Sequence, residues 1–161
     1  MGVLVRTADA GDVDAVVAFG AAVVPPYYTP ILGEGAAQDQ LDWWTPERLD
    51  PAARAGRLHV AVDDRDVVGV CETGELSGEQ VIWKLYLAAE YRGRSLGVAL
   101  LRHALSLLPK GTDHVNVEHF AGNTSAARFY ERQGFVVVRT QPPPAGEPPG
   151  GAIVWRRRAW P

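Results

Sequence analysis

The sequence predicts a single α+β domain in which a mixed, mostly antiparallel twisted sheet of about seven strands is flanked by about four helices. Two observations carry this prediction. Runs rich in β-formers, separated by turn residues, fill the middle of the chain, whereas apolar residues at helical spacing precede and follow them. In addition, 161 residues are enough for one compact domain and too few for two. We therefore treat residues 1–161 as one unit without repeats or linkers.

The composition is that of a globular protein with a conventional core. Hydrophobic residues make up 47% of the chain and charged residues 22%. The net charge of -3 argues against broad nucleic-acid binding, which needs a basic surface. Cys71 is the only cysteine and lies in an apolar run, so we expect a buried thiol and no intrachain disulfide.

The N-terminal residues favour a cytoplasmic protein. Arg6, Asp9 and Asp12 interrupt any apolar stretch that a signal peptide would need. We also expect that no apolar run approaches membrane-spanning length. We therefore expect no membrane partner.

The first third of the chain predicts a strand and two helices. Residues 3–6 form the strand, and Asp9 is placed to cap the first helix. Pro25 and Pro26 are expected to end that helix, because proline removes a backbone donor. The segment 27–35 is then rich in aromatics and turn formers. Thr45 followed by proline predicts the start of the second helix.

Three antiparallel strands should follow. Residues 58–62 and 67–73 are β-rich and are joined by a polar turn, and Ser77 with Gly78 makes a second turn before the third strand, 80–87. Strict alternation along this third strand predicts two faces. One face carries Val81, Trp83, Leu85 and Leu87, and the other carries Ile82, Lys84 and Tyr86.

The remaining elements alternate between helix and strand. Residues 96–108 form a strongly amphipathic helix, and Gly134 is placed to end a later one. The predicted elements are a helix at 96–108, a strand at 114–119, a helix at 123–133, a strand at 135–140, a Pro/Gly loop at 142–151 and a strand at 153–159.

Residues 85–97 have the character of an anion site. A strand runs through a small-residue turn into an amphipathic helix, whose first backbone N–H groups have no internal partners. Gly93 and Gly97 allow close approach to a ligand, while Arg92 and Arg94 add positive charge. The residues alone are also compatible with a plain connection bearing two solvated arginines. The lysine of a P-loop and the triple glycine of a dinucleotide fold are missing from the segment.

A second informative block runs from residue 123 to 135. Asn123 can cap the predicted helix and offer an amide to a ligand. Tyr130 lies seven residues later on the same helical face, and its phenol is protonated at neutral pH, so it could donate a proton. A tyrosine packed in the core is the alternative.

Both blocks resemble the GNAT superfamily of acyl-CoA-dependent N-acetyltransferases. Arg92-Gly93-Arg94-Ser95-Leu96-Gly97 is similar to the superfamily loop Arg/Gln-x-x-Gly-x-Gly/Ala, with Ser95 in place of the first glycine. If the loop needs a positive φ there, Ser95 would be strained. The block after Asn123 is similar to Asn-x-x-Ala-x-x-Phe-Tyr-x-x-x-Gly-Phe. The pattern is closest to the ribosomal-protein alanine N-acetyltransferases.

The resemblance implies a GNAT fold, acetyl-CoA as co-substrate and no metal. It implies acetyl transfer to a primary amine, either a small molecule or a protein N-terminus, by direct attack in a ternary complex. It also implies a homodimer as a partner, since many members dimerise. The implied acetyl-CoA contacts are Leu85, Tyr86, Leu87, Arg92, Gly93, Arg94, Ser95, Leu96, Gly97, Val98, Asn123 and Tyr130.

The resemblance assigns catalytic roles as well. Tyr130 would protonate the leaving thiolate, and a backbone N–H within 85–87 would stabilise the oxyanion. Glu118 lies five residues before Asn123, an offset at which one branch of the superfamily carries its general base. The alternative for Glu118 is a carboxylate that faces water, with water relaying the proton. His119 is expected on the opposite side of the strand.

The acceptor side is less defined by the sequence. The resemblance places it around the first two helices and the loop 142–151, and we take Tyr27 and Tyr28 as candidate substrate contacts. Trp43 and Trp44 could line a site or pack on the domain, and residues 156–158 read as an exposed strand end. A catalytically degenerate acyl-CoA-binding module remains the alternative function, favoured only by Ser95.

Overall fold

The computed structural model describes residues 2–161 and confirms the predicted α+β class. The strands are β1 Val3–Thr7, β2 Leu58–Asp63, β3 Asp66–Leu76, β4 Glu79–Leu87, β5 His114–Phe120, β6 Val136–Gln141 and β7 Ile153–Ala159. The helices are α1 Val13–Leu32, α2 Glu34–Asp39, α3 Pro46–Arg54, α4 Leu96–Ser106 and α5 Thr124–Arg132. The short helix α2 was not predicted, and with it the described part of the chain has five α-helices.

The strands form one sheet with a single parallel neighbour pair in the described range. Their order is β1-β2-β3-β4-β5-β7-β6, in which β4 and β5 run parallel and the other pairs run antiparallel. This is the mixed, mostly antiparallel sheet that the sequence predicts.

Two apolar cores form, one on each face of the sheet. On one face α1 and α3 bury Val16, Val24 and Leu49 against β2 and β3. On the other face α4 buries its predicted stripe, including Leu100 and Leu105, against β4 and β5. The amphipathic patterns thus bury their apolar sides in opposite layers.

The first helix is longer than the sequence suggests. We expected Pro25 and Pro26 to end it, which was wrong, because α1 contains both of them and Pro30 as well. Each proline removes one backbone donor. The hydroxyl of Thr29 donates to the Pro25 carbonyl at 2.7 Å, and Tyr28 is buried in the core. Packing of α1 against the sheet therefore outweighs the free-energy cost of the backbone donors that the prolines remove. This packing places Tyr27 and Tyr28 at the face of the sheet.

The same helix also corrects the expectation about apolar length. Ala10–Leu32 is helical over 23 residues with a mean hydropathy of 1.5, so by length and composition it could cross a membrane. Val16 and Val24 in it are fully buried against the sheet. The core helix of a globular domain passes the same test.

A β-bulge in β4 changes which side chains share a face. Lys84 pairs with Glu72 and Ile82 with Thr73, which leaves Trp83 without a partner on β3. The extra residue reverses the alternation. As a result Ile82 packs in the α4 core and not on the face of Lys84, so the predicted two-face pattern of this strand was wrong at that point.

The parallel strands β4 and β5 separate after three residue pairs. Residues 80–82 pair with residues 115–117, yet β4 continues to Leu87 and β5 to Phe120. Beyond Ile82 the two strands have no mutual pairing within residues 2–161. The sheet is therefore open at this point, and two cavities lie around the opening.

Candidate active site

A cavity of about 420 Å³ fills one side of the opening between β4 and β5. It is bounded by the end of β4, the start of α4, the end of β5 and one face of α5. The structure places most of the predicted site residues around it. These are Tyr27, Tyr28, Leu85, Tyr86, Leu87, Arg92, Gly93, Ser95, Gly97, Val98, Glu118, Asn123 and Tyr130.

Two of the predicted contacts do not line this cavity. Arg94 places its guanidinium 5.3 Å from the ring centre of Tyr91, and Leu96 is also absent from the lining. Of the two loop arginines, only Arg92 therefore contributes its charge directly to the cavity wall.

The N-terminus of α4 opens into the cavity without a side-chain cap. Ser95 occupies the N-cap position with φ 62° and ψ 7°, and its side chain makes no capping hydrogen bond to the described residues. The expectation of strain at Ser95 is therefore confirmed, at a cost of about 1–2 kcal/mol for a left-handed L-residue. The first-turn N–H groups are left for an anionic ligand.

The glycines of the loop keep the approach to these N–H groups open. Gly93 has φ +75°, a conformation that favours glycine. A Cβ on Gly97 would lie 3.3 Å from the ring of Phe129 and 3.6 Å from Leu87. A side chain at Gly97 would therefore crowd the wall where the helix meets the cavity.

Arg92 is fixed at the rim by two contacts. Its guanidinium donates to the Leu87 carbonyl at 3.1 Å and lies 4.8 Å from the ring centre of Tyr27. These contacts hold a positive charge beside the uncapped helix terminus, which is the electrostatic arrangement that binds phosphate groups.

Asn123 joins α1 to the start of α5 through its side-chain oxygen. Its Oδ1 accepts hydrogen bonds from the Ala126 N–H at 3.1 Å and from the Tyr27 hydroxyl at 2.6 Å. The first bond confirms the predicted cap of α5, and the second ties α1 to that cap. Its Nδ2 has no partner within residues 2–161 and lies on a cavity-lining residue, so it remains available to a ligand.

Tyr130 is held by its ring, while its hydroxyl remains unbonded. The residue is 6% exposed and packs edge-on against Phe129 and Phe135. In the part of the chain that the structure describes, no hydrogen bond involves its hydroxyl. Burial raises the pKa of Tyr130 well above 10. The phenol is therefore protonated at neutral pH and can donate into the cavity.

His119 is a neutral imidazole in a defined tautomer. Its Nδ1–H donates to the Phe120 carbonyl at 2.9 Å, and its Nε2 accepts from the Arg156 Nε at 3.0 Å. Burial lowers the pKa of His119, in agreement with the neutral form. We expected His119 on the opposite side of the strand from Glu118, but both residues line the cavity, because the end of β5 has the opening on its unpaired edge.

The arginines of β7 were also misplaced by the sequence. Arg156 bonds His119 and the Phe135 carbonyl, and Arg157 bonds Asn116 and Glu79. The expected exposed strand end is therefore wrong, because each of these two guanidinium groups satisfies polar groups of a neighbouring strand.

Glu118 lies half-buried at the end of β5. Burial raises its pKa above the ordinary value, while the charge of Arg139 opposes the rise. A carboxylate with a raised pKa is a stronger base than a solvated one.

A second cavity of about 430 Å³ lies on the other side of the opening. The two cavities share five lining residues, namely Tyr28, Trp83, Tyr86, Glu118 and His119. The second cavity is lined in addition by Gln40, Trp43, Trp44, Arg48, Glu72, Lys84, Phe120 and Ile153. Glu118 therefore faces both cavities at the place where they meet.

Sequence reasoning missed most of this second cavity. Lys84 and Glu72 form a buried ion pair at 2.8 Å across β3 and β4. The sequence signal for this ion pair was the lone lysine within the apolar run of β4. Trp44 is 4% exposed and packs on the domain, whereas Trp43 is 52% exposed at the cavity mouth. The loop 142–151, which we expected at the acceptor side, contributes no residue to the lining.

The arrangement can bring a donor molecule and an acceptor molecule together. An anion-binding helix terminus and a protonated phenol belong to the first cavity, and a carboxylate base stands between the two. Within residues 2–161 no cluster of three or more His, Cys, Asp or Glu side chains is arranged to hold a metal ion.

Comparison with known proteins agrees with this arrangement. The acetyltransferase (GNAT) domain family matches residues 54–137. A peptidyl-lysine N-acetyltransferase, YjaB, from Salmonella typhimurium is 38% identical over 93 residues, which are 56% of this chain and 59% of that protein. The chain thus spans less than two thirds of that relative.

Solved structures share the fold. The PaiA N-acetyltransferase of Thermoplasma acidophilum, in complex with coenzyme A, has a TM-score of 0.82 at 17% identity and covers 99% of this chain and 100% of its own. The ribosomal-protein alanine N-acetyltransferase of Escherichia coli has a TM-score of 0.72 at 16% identity, covering 98% of this chain and 94% of its own. At these identities the likeness concerns the fold alone.

Proposed function

Because the chain belongs to the GNAT acetyltransferase family, we propose that it transfers an acetyl group from acetyl-CoA to a primary amine, a small molecule or a protein N-terminus, by direct attack in a ternary complex. The observation that carries the proposal is the meeting of two cavities at the opening between β4 and β5, with Glu118 facing both. Such an arrangement brings two substrates into contact without a covalent enzyme intermediate.

The first cavity fits acetyl-CoA. This co-substrate supplies a reactive thioester and carries a diphosphate. The uncapped first turn of α4 and the fixed charge of Arg92 suit an anion of that kind, and Gly93 and Gly97 leave room for it. The free Nδ2 of Asn123 offers one more donor on the same wall.

Glu118 acts as the general base in this proposal. The amine must lose a proton before it attacks, which costs about 1.4 kcal/mol at neutral pH for an α-amine of pKa near ~8 and nearly ~5 kcal/mol for a lysine of pKa ~10.4. Glu118 accepts that proton from the acceptor side of the opening. Glu118 is the only carboxylate among the five described residues that line both cavities.

The backbone of β4 stabilises the oxyanion. As the amine nitrogen bonds to the thioester carbon, the carbonyl oxygen becomes negative. Beyond Ile82 the edge of β4 that faces β5 has no strand partner in the described chain, so its N–H groups are left to face the cavity. A backbone donor preorganised in this way contributes substantially to the rate of acyl transfer.

Tyr130 completes the reaction as the general acid. When the carbon–sulfur bond breaks, the thiolate takes the phenolic proton. The raised pKa of Tyr130 keeps this proton in place until the thiolate forms. The attacking nitrogen loses its second proton to solvent as the carbon–sulfur bond breaks, and the Tyr130 phenolate regains a proton from solvent, so that the products are an amide and a free thiol.

A thiol-release assay tests this function. The purified protein is incubated with acetyl-CoA and a panel of amino acids, arylalkylamines, polyamines, aminoglycosides and short peptides, and the amide product is identified by mass spectrometry. Turnover with at least one amine is expected. Binding of acetyl-CoA with no turnover on any amine would favour a non-catalytic acyl-CoA-binding module, the reading that Ser95 alone supports.

A further inference from the structure

Two cations of the protein line the second cavity. The Arg48 guanidinium lies 4.5 Å from the ring centre of Trp43, and the Lys84 Nζ lies 5.3 Å from that of Trp44. Each of the two tryptophan rings thus has a cation of the chain itself over it. They do not form an aromatic cage for a cationic ligand.

The two cations differ in how their charge is balanced. Lys84 is paired with Glu72 at 2.8 Å, and both side chains are buried. Arg48 is exposed at the cavity mouth and takes part in no ion pair within residues 2–161. One positive charge therefore remains at the mouth, while Glu118 provides the negative charge at the inner end.

This distribution discriminates between classes of amine. A polyamine or diamine in the cavity would bring a second ammonium towards Arg48, where the two positive charges repel each other. An anionic group in the same place would be attracted, and a guanidinium binds a carboxylate through two parallel hydrogen bonds. Gln40, which also lines this cavity, adds a neutral hydrogen-bonding group.

We propose that the acceptor is a small primary amine that also carries a carboxylate, with its amine at Glu118 and its carboxylate at Arg48. The inference rests on the proposed function, because it names the acceptor of that reaction. The apolar part of such a molecule would lie among the aromatic side chains of the cavity, which include Trp43, Tyr86 and Phe120.

Matched amines test the proposal. Phenylalanine is compared with phenethylamine, and 4-(aminomethyl)benzoate with benzylamine, because each pair differs only by the carboxylate. We expect the acid of at least one pair to have a kcat/KM that exceeds that of its decarboxylated partner by about tenfold or more, as for one charge-assisted hydrogen bond. Spermidine and a peptide with a free N-terminus complete the panel.

A charge reversal at Arg48 supplies the second arm. Arg48→Glu should remove or reverse the preference for the acids, and Arg48→Lys should retain part of it. Arg54→Glu is the matched control, because Arg54 lies on the same helix, is exposed and does not line the cavity. Arg48 is exposed, so its replacement should leave the fold intact, and circular dichroism of each variant checks this.

The outcomes separate the two claims. Faster acetylation of the decarboxylated amines, of spermidine or of the peptide overturns the inference, as does a preference that Arg48→Glu leaves unchanged. Absence of acetylation of both acids while acetyl-CoA binds also overturns it. Failure of the protein to bind acetyl-CoA, measured separately by calorimetry, is instead a failure of the proposed function.

Discussion

The ring of Tyr130 stacks on the ring of His119, with 6.3 Å between their centroids and 18° between their planes. His119 is in turn fixed by the Phe120 carbonyl and by Arg156. The position of the Tyr130 ring therefore does not depend on its hydroxyl. This leaves the phenolic proton free for chemistry, and it allows the hydroxyl to be removed without loss of packing.

Tyr130→Phe should abolish most of the activity and little of the stability. We expect kcat to fall by about 10²–10⁴-fold, the usual contribution of a general acid, with the affinity for acetyl-CoA nearly unchanged. Thiol-release kinetics and urea unfolding measure the two effects. Tyr91→Phe is the control, because Tyr91 bonds Asp63 and does not line the first cavity. A Tyr130→Phe variant with wild-type kcat would remove Tyr130 from the mechanism.

Glu118→Gln should change the pH profile of the reaction. The base works only when deprotonated, and burial raises its pKa above 4.5, so kcat/KM of the wild type should fall as the pH falls through that raised value. In Glu118→Gln this acidic limb should be lost together with most of the rate. Glu75→Gln, an exposed change on β3, should leave the profile as it is. An acidic limb that persists in Glu118→Gln would assign the base to water or another group.

Ser95→Gly should stabilise the fold. Ser95 adopts φ 62°, and glycine adopts this conformation without the steric cost of a Cβ. Because glycine also gains entropy in the unfolded state, the net increase in the free energy of unfolding should be only about 0.5–1 kcal/mol. Ser77→Gly is the matched variant, since Ser77 has φ 53° in a turn far along the chain.

The two serine variants should differ in function. Only Ser95 lines the first cavity, so only Ser95→Gly should alter the KM for acetyl-CoA. Urea unfolding and initial rates on both variants measure the two effects. Loss of stability in Ser95→Gly would mean that the serine side chain contributes more than its backbone strain costs.

His59 should make the fold sensitive to acid. It is 1% exposed, its Nδ1 and the Nε2 of His103 both contact the Thr7 hydroxyl, and burial lowers its pKa to about 4. Because the folded pKa lies below the unfolded value of 6.5, the stabilisation is complete above pH 6.5 and is lost as the pH falls towards 4. The loss should reach about 3 kcal/mol.

Urea unfolding at neutral pH and at about pH 4 measures this sensitivity. His59→Gln should show a flatter dependence of the free energy of unfolding on pH, although it should be less stable at neutral pH. An equal dependence in the wild type and in His59→Gln would show that other groups cause the acid sensitivity.

The sequence was most informative where the signal is local. The uncapped start of α4 and the Asn123 cap of α5 each depend on residues within a few positions of one another, and both were predicted in place. The fold class followed from the order of these elements, and the GNAT resemblance rested on the same two blocks. Family membership confirms that resemblance.

The features that the sequence did not predict depend on distant contacts. α1 passes through Pro25 and Pro26 because Tyr28 packs on Tyr86 and Phe120 across the sheet. The Trp83 bulge and the separation of β4 from β5 are properties of strand pairing, which a period-2 pattern in one strand does not report. The second cavity is built from six separate helices and strands and the segment 40–44, so its residues have no common spacing.

Calorimetric titration of acetyl-CoA into the wild-type protein tests the central claim most directly, with Gly97→Val as the blocked variant, since a side chain there would meet Phe129 and Leu87. We predict binding at one site with a Kd in the range of about 1–100 μM, in line with ordinary substrate affinities, no comparable binding of ATP, and a large loss of affinity in Gly97→Val. A wild-type protein that does not bind acetyl-CoA, or that binds ATP equally well, would contradict the account.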